Sequence, residues 1–430
     1  MRPTLPLALL STLLLPLAGC DGGDDDGADG GPSGQDGGAQ PGPLEVTVTP
    51  PASAPAGSVV SFAAELPGID GGPEVTVIRG GGRVEAGAAG YAWTLGFAPV
   101  DNVVRIEGNG DTVELTVRAT LDAPYRAEPF GDVHAFLEAE AHTGSTEDLT
   151  FTAAGLLMGA PAGLLHVAPD GTTSRFLQSD DLSRVWGFAA GPGGILWAVD
   201  AGNGRMVRIL ADGSVEQALT TDGTQPLAGA NYVAVDREGR VYLSDPCLGE
   251  IIRLDPATDD IAVHRFDLMT EGGPNGMALS PDGTSMYVAT ENTGLLCGHR
   301  EVPLQDPIAG VYVFDLDDFG THAPVAERIG LFGDGLAFDV EGNLYVVVDR
   351  AENFQLTQSA VVVIPAGETT PVDFLVAGER QIFANVAFGD GAYGASTLYI
   401  ALLAIPGFSD PDSRGLERFE VGIAGLPLVR

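Results

Sequence analysis

Six side chains recur at one place in a repeated unit: Glu147, Trp186, Asn231, Asn275, Asp334 and Asn385. Five of the six present a hard oxygen donor, two as carboxylates and three as amides. Oxygen donors in that mixture suit calcium, which takes roughly six to eight such ligands and accepts water for the remainder. Read singly, each is a turn residue, because Pro-Asn-Gly, Gly-Asp-Gly and Gly-Ala-Asn are ordinary turn sequences. Their equivalence within the repeat is what points to a site.

The repeat is clearest at 274–290, P-N-G-M-A-L-S-P-D-G-T-S-M-Y-V-A-T. A polar start leads into a short apolar run, a tight Pro-Asp-Gly turn and a second apolar run. The unit returns as N-Y-V-A-V-D-R-E-G-R-V-Y-L-S-D at 231 and D-G-L-A-F-D-V-E-G-N-L-Y-V-V-V-D at 334. It returns again as N-V-A-F-G-D-G-A-Y-G-A-S-T-L-Y-I-A at 385, with weaker copies at 147 and 186. The starting positions are separated by 39, 45, 44, 59 and 51 residues. Further strand-like runs follow each quoted pair. Four strands per unit at this spacing predict a propeller, here with six blades over 125–430 and a last strand near 417–423. Innermost strands of a propeller run in one sense beside the channel, so their starts ring one mouth. The hairpins at Glu238-Gly239, Asp282-Gly283 and Glu341-Gly342 then fall on the opposite mouth, as bare turns.

Residues 44–120 carry about seven short period-two runs separated by Gly, Pro and Asn109-Gly110 turns. That pattern predicts a small immunoglobulin-like β-sandwich before the propeller, read as a spacer or adhesive module. The fold class is therefore all-β. Residues 1–19 have the form of a secretory signal, with Arg2 before an apolar run. Leu17-Ala18-Gly19-Cys20 resembles a bacterial lipobox, which implies a lipid on Cys20 and a cell-envelope location. Residues 20–43, rich in Gly and Asp, cannot bury a core and read as a disordered tether.

The formal net charge is −38, and all 21 basic residues are arginine. Such acidity disfavours nucleic acid and anionic membrane surfaces as partners, leaving membrane contact to the lipid anchor. The chain reads as a monomer acting on a small molecule. The motifs G-x-S-x-G, H-E-x-x-H and C-x-x-C do not occur in it. His134, His142, His166, His264, His299 and His322 are scattered and read mainly as surface or loop residues.

The stretches at 274–290 and 333–346 resemble the hallmark segments of the senescence-marker-protein/gluconolactonase family of six-bladed propellers, to which diisopropylfluorophosphatase is related. The resemblance implies a divalent metal, most often calcium, at the channel mouth. It assigns the protein ligands to Glu147, Asn231, Asn275 and Asp334, and makes Asp334 a candidate general base or nucleophile. The first blade departs from the family pattern, reading Thr146-Glu147-Asp148-Leu149, so Asp148 competes with Glu147. Asn385 completes the ring as a possible substrate contact. The implied activity is metal-dependent hydrolysis of a lactone-type substrate, a sugar lactone or related ester. The alternative is a non-catalytic envelope propeller that binds a sugar, peptide or protein and uses the metal structurally.

Loops starting at Asp200, Asp245, Glu291 and Asp349 return to the same mouth. The long one, 291–309, has the length of a lid, and His299 and Arg300 are its possible substrate contacts. Cys247 and Cys297 lie in two of these loops, on adjacent blades and one face, which predicts a disulfide in an exported protein.

Overall fold

The computed structural model describes residues 42–67, 72–141, 146–303, 307–352, 355–405, 409–410 and 413–427. The expected signal segment, Cys20, most of the tether and His142 lie outside the described residues.

Among the described residues beyond 125 there are four four-stranded antiparallel sheets and one eight-stranded sheet, the last made of two four-stranded units, 273–330 and 332–376, joined at the Glu291–Phe332 pair. The innermost strands of the six units are Leu149–Thr152, Val185–Ala190, Val233–Val235, Gly273–Leu279, Phe332–Phe338 and Phe383–Phe388. Each neighbours the next, and the sixth neighbours the first, so the units close a ring in the manner of a propeller. The second strands read as unbroken apolar runs because neighbouring units cover both of their faces. Leu344–Glu352 (L-Y-V-V-V-D-R-A-E) is buried through its first six residues. Gly415–Glu420, expected as the last strand, is third in the sixth unit, and Glu128–Phe130 from the other end of the chain pairs outside it.

The hairpins on the far side from the ring do more than turn. Asp339 Oδ2 accepts from Asn343 Nδ2 at 2.8 Å and from the Tyr345 hydroxyl at 3.1 Å, while Oδ1 takes the Asn343 amide at 2.9 Å. Asp236 does the same for Arg240 and Tyr242. Each fixes an inner strand to its second strand through a buried carboxylate. Glu341, expected as a bare turn, accepts the Gly80 amide at 2.8 Å through both oxygens. Burying a partly desolvated carboxylate there is offset by that bond, with Arg79 at 3.9 Å.

Gly80 lies in the bend between the strands Glu74–Arg79 and Arg83–Gly87, which belong to two different four-stranded sheets formed by residues 45–120. Phe62 and Trp93 from one sheet meet Val104, Ile106 and Val117 from the other in one buried cluster. Ala98 and Val100 leave that unit and pack with Tyr345, Phe374 and Ile423. Arg118 pairs with Glu368 at 2.8 Å.

Two side-chain arrangements generate predictions. Cys247 and Cys297 are disulfide-bonded, with Cα atoms 5.3 Å apart across a separation of 50 residues. On loop entropy, Cys247→Ser with Cys297→Ser lowers unfolding free energy by about 4 kcal/mol, read by denaturant titration. His264, expected at the surface, is instead buried. Its Nδ1 donates to the Phe319 carbonyl at 3.0 Å and its Nε2 meets His322 Nδ1 at 2.7 Å. Burial holds the His264 pKa below its ordinary value of 6.5, outweighing the Phe319 bond that raises it. The unfolded chain therefore takes up the proton first. The stability His264 contributes is present above pH 6.5 and is lost as pH falls below it. Between pH 7.5 and 5.5 the wild type should lose more stability than His264→Gln; equal losses by chemical denaturation contradict this.

Candidate metal and active site

Four of the six ring residues sit at or beside a bulge of their inner strand, while Glu147 and Asn231 lie just before theirs. The register slips between Val185 and Phe188, Pro274 and Met277, Gly333 and Leu336, and Phe383 and Asn385. A bulge turns a side chain out of the strict alternation of a strand. Here it falls at Trp186-Gly187, Asn275-Gly276, Asp334-Gly335 and next to Asn385. The glycines serve close approach and not turning, since none of these three has a positive φ. A Cβ on Gly276 would stand 2.4 Å from the Asp334 carbonyl, and one on Gly187 would stand 2.5 Å from the Asn231 carbonyl. On Gly335 it would overlap the Asn385 amide. The Asn-Gly and Asp-Gly pairs that read as turns are places where six strands converge on one axis.

Four expected ligands meet there. Asn231 Nδ2 donates to Glu147 Oε1 at 3.3 Å. Asn275, 2% exposed, donates from Nδ2 to Glu291 Oε2 at 3.1 Å, and its buried Oδ1 has no hydrogen-bond partner. Asp334 lies within electrostatic reach of Glu147, Glu291, Asp349 and Asp148. Asp148 separates cleanly from its rival: its oxygens accept the Leu149 amide at 2.7 Å and the Phe188 amide at 2.9 Å. It fastens the first unit to the second, and Glu147 is the first-unit carboxylate that faces the ring. Asn385 is likewise occupied, its Oδ1 by the Val386 amide at 2.7 Å and its Nδ2 by the Tyr232 hydroxyl at 3.5 Å.

Glu291 and Asp349 are site carboxylates that the sequence reading placed only at the starts of loops. Both are buried, and Asp349 Oδ1 has no hydrogen-bond partner. They share their place, the end of a second strand, with Asp200 and Asp245. Those two are consumed by loop amides, Ser183 for Asp200 and Ala228 and Leu248 for Asp245. The shared position was the available signal. His299 faces Glu301 at 3.5 Å and Arg300 is exposed; no described contact joins either to the ring.

Burial and mutual repulsion raise the proton affinity of these carboxylates. Burial carries Glu147 up to about 7, against the Asn231 bond and the nearby Arg184 charge. Burial carries Glu291 to about 8, with repulsion from Glu147 and Asp349 adding to it, and Asp349 to about 7. Asp334 and Asp148 stand well above the carboxylate range, again chiefly through burial. The same charges and its own burial keep the Tyr232 phenol protonated. This donor set fits a hard divalent cation: carboxylates short of positive charge beside an amide oxygen with no partner. Among the described residues no three acidic, imidazole or thiol side chains form a metal cage by themselves. A cation at the ring would thus rely on Asn231 and Asn275 as well as Glu147 and Asp334. Below the ring, a channel of about 600 Å³ walled by apolar inner-strand side chains opens on the other face.

Residues 160–403 match a protein family described as the SMP-30/Gluconolactonase/LRE-like region. A curated gluconolactonase from Zymomonas mobilis subsp. mobilis is 26% identical over 187 residues, 37% of this chain and 48% of that protein. The chain thus spans about half the length of this curated relative. Among solved structures, a gluconolactonase from Xanthomonas campestris aligns at 18% identity and TM-score 0.48, covering 66% of this chain and 86% of that one. A virginiamycin B lyase from Staphylococcus aureus aligns at 11% and 0.45, covering 80% and 98%. With more than half of its length matched to one family, this chain belongs to the SMP-30/gluconolactonase/LRE-like family.

Proposed function

We propose that this chain is a calcium-dependent hydrolase of lactone-type substrates, a sugar lactone or related ester, acting at the cell envelope. The observation that carries the reading is the buried Asn275 Oδ1, without a hydrogen-bond partner, set among Glu147, Asp334 and Glu291. Family membership supplies the reaction class. Glu147, Asn231, Asn275 and Asp334 hold the cation. Bound there, it supplies Lewis-acid polarisation of the ester carbonyl and charge to match a developing oxyanion.

The remaining work falls to side chains of the chain itself. The Asp334 carboxylate accepts a proton from the attacking water as its oxygen bonds to the carbonyl carbon. The ring C–O bond breaks, and the same proton passes from Asp334 to the departing alkoxide oxygen. Lactone and water are consumed and a hydroxy acid is released. Glu291 orients the Asn275 amide through its 3.1 Å bond, so that Oδ1 points away from it. Asp148 and Asn385 keep the converging strands in place through backbone amides. In this proposal the protein is a monomer, held by a lipid on Cys20.

Calorimetric calcium titration should separate the two first-unit acids. Glu147→Gln weakens binding at least tenfold. Asp148→Asn lowers the melting temperature while leaving affinity within about threefold; the reverse pattern would exchange their roles. Turnover is tested with the full chain on a panel of sugar lactones and simple γ- and δ-lactones, with calcium and with chelator. The expected result is calcium-dependent hydrolysis that falls about 10²–10⁴-fold in Asp334→Asn. No turnover in either condition favours the non-catalytic binding reading, and full activity in the variant removes the role given to Asp334.

A further inference from the structure

A second concave surface lies far from the ring, where residues 95–98 of the two-sheet unit and the 121–127 connector meet the sixth propeller unit. It is a crevice of about 510 Å³, within the range of small-ligand sites. Its floor is aromatic. Tyr125 and Phe419 stack with centroids 5.2 Å apart and planes 27° from parallel. Phe97 meets each of them edge-on at 6.1 Å, and buried Phe374 backs both from behind. Phe97 is 40% exposed, an unusual position for a ring with two aromatic neighbours to pack against.

The walls are charged, and the charges cancel. Arg126 and Arg418 stand with Glu128 and Glu420 around the rings. Arg418 Nε donates to Glu128 at 2.8 Å, and Arg126 Nη1 to the Ala377 carbonyl at 2.9 Å. The Thr397 hydroxyl donates to Glu420 at 2.9 Å. These bonds hold the planar groups still while leaving further guanidinium donors and carboxylate lone pairs for a ligand.

That chemistry selects among occupants. An anion would face Glu128 and Glu420, and a cation would face Arg126 and Arg418. A wholly apolar ligand would strip water from four charged groups and return no hydrogen bonds. A pyranose matches both requirements, with C–H bonds on its face for the exposed ring and hydroxyls at its edge for the planar side chains. We infer that this crevice binds a neutral oligosaccharide, with Phe97 as the stacking platform and Glu420 as a hydroxyl acceptor. The site is separate from the acidic ring and would hold the ring's chemistry against a glycan surface.

The test uses the full chain and four neutral hexasaccharides: cellohexaose, maltohexaose, xylohexaose and N-acetylchitohexaose. Isothermal titration should show one-site binding of at least one of them. Phe97→Ala should weaken it at least tenfold, Phe97→Tyr should keep it within threefold, and Glu420→Ala should weaken it at least threefold. Melting temperature and calcium binding at the ring should stay unchanged in all three, which separates failure here from failure of the hydrolase reading. The inference is overturned if none of the four binds at millimolar concentration. It is equally overturned if Phe97→Ala and Glu420→Ala both bind as the wild type does.

Discussion

Five buried carboxylates around one axis repel one another, and much of the architecture exists to hold them there. Glu147, Asp148, Glu291, Asp334 and Asp349 come from three propeller units and from two different strand positions. Nothing local would gather them. They are gathered because six inner strands converge, and the strands converge because small residues let their backbones touch. Packing supplies the force. The clusters around Tyr345, Tyr399 and Tyr242 bury both faces of each sheet. Against that background a few destabilising charges are tolerated.

The same economy governs the far side of the sheets. Asp236 and Asp339 are buried acids too, yet each is fully engaged by amides and by a tyrosine hydroxyl. The contrast with Asp334 is instructive. Asp334 and Asp339 lie near opposite ends of one inner strand, Phe332–Phe338. One kind is satisfied within its own unit; the other faces charges of its own sign. Satisfaction by neighbours therefore distinguishes Asp236 and Asp339 from Asp334 more sharply than burial does.

Much of this was legible in the chain. Apolar runs spaced by Asp-Gly and Glu-Gly turns announced the repeat, and equivalence of position picked out Glu147, Trp186, Asn231, Asn275, Asp334 and Asn385, from which the family resemblance chose four as ligands. The cysteine pairing followed from placing Cys247 and Cys297 on one face. What escaped was partnership. Asn385 and Asn275 look alike in sequence, but one oxygen takes a backbone amide and the other takes none. Glu291 and Asp349 resemble Asp200 and Asp245, and only the amides that the fold brings to them, Ser183 to Asp200 and Ala228 and Leu248 to Asp245, decide which acids are consumed. The Asn-Gly pairs looked like turns because glycine's freedom of φ is its commoner use; here the missing Cβ is what matters. The latch of Glu341 on Gly80 joins residues 261 apart, beyond the reach of any local pattern.

Ring closure has a consequence in time. The outermost strand of the sixth unit, Glu128–Phe130, is made before the first unit, while its partner Gly415–Glu420 is made after the other five. Arg418 and Glu128, which bond across that seam, are 290 residues apart. During synthesis the early strand has no ladder partner while five units fold behind it, and the circle stays open until Gly415–Glu420 has been made. A chain that pairs this edge with a neighbouring nascent copy would join two molecules instead of closing one. Its brevity, three residues with Pro129 at the centre, makes it a poor template for such pairing, so the seam stays free for the strand that arrives at the end.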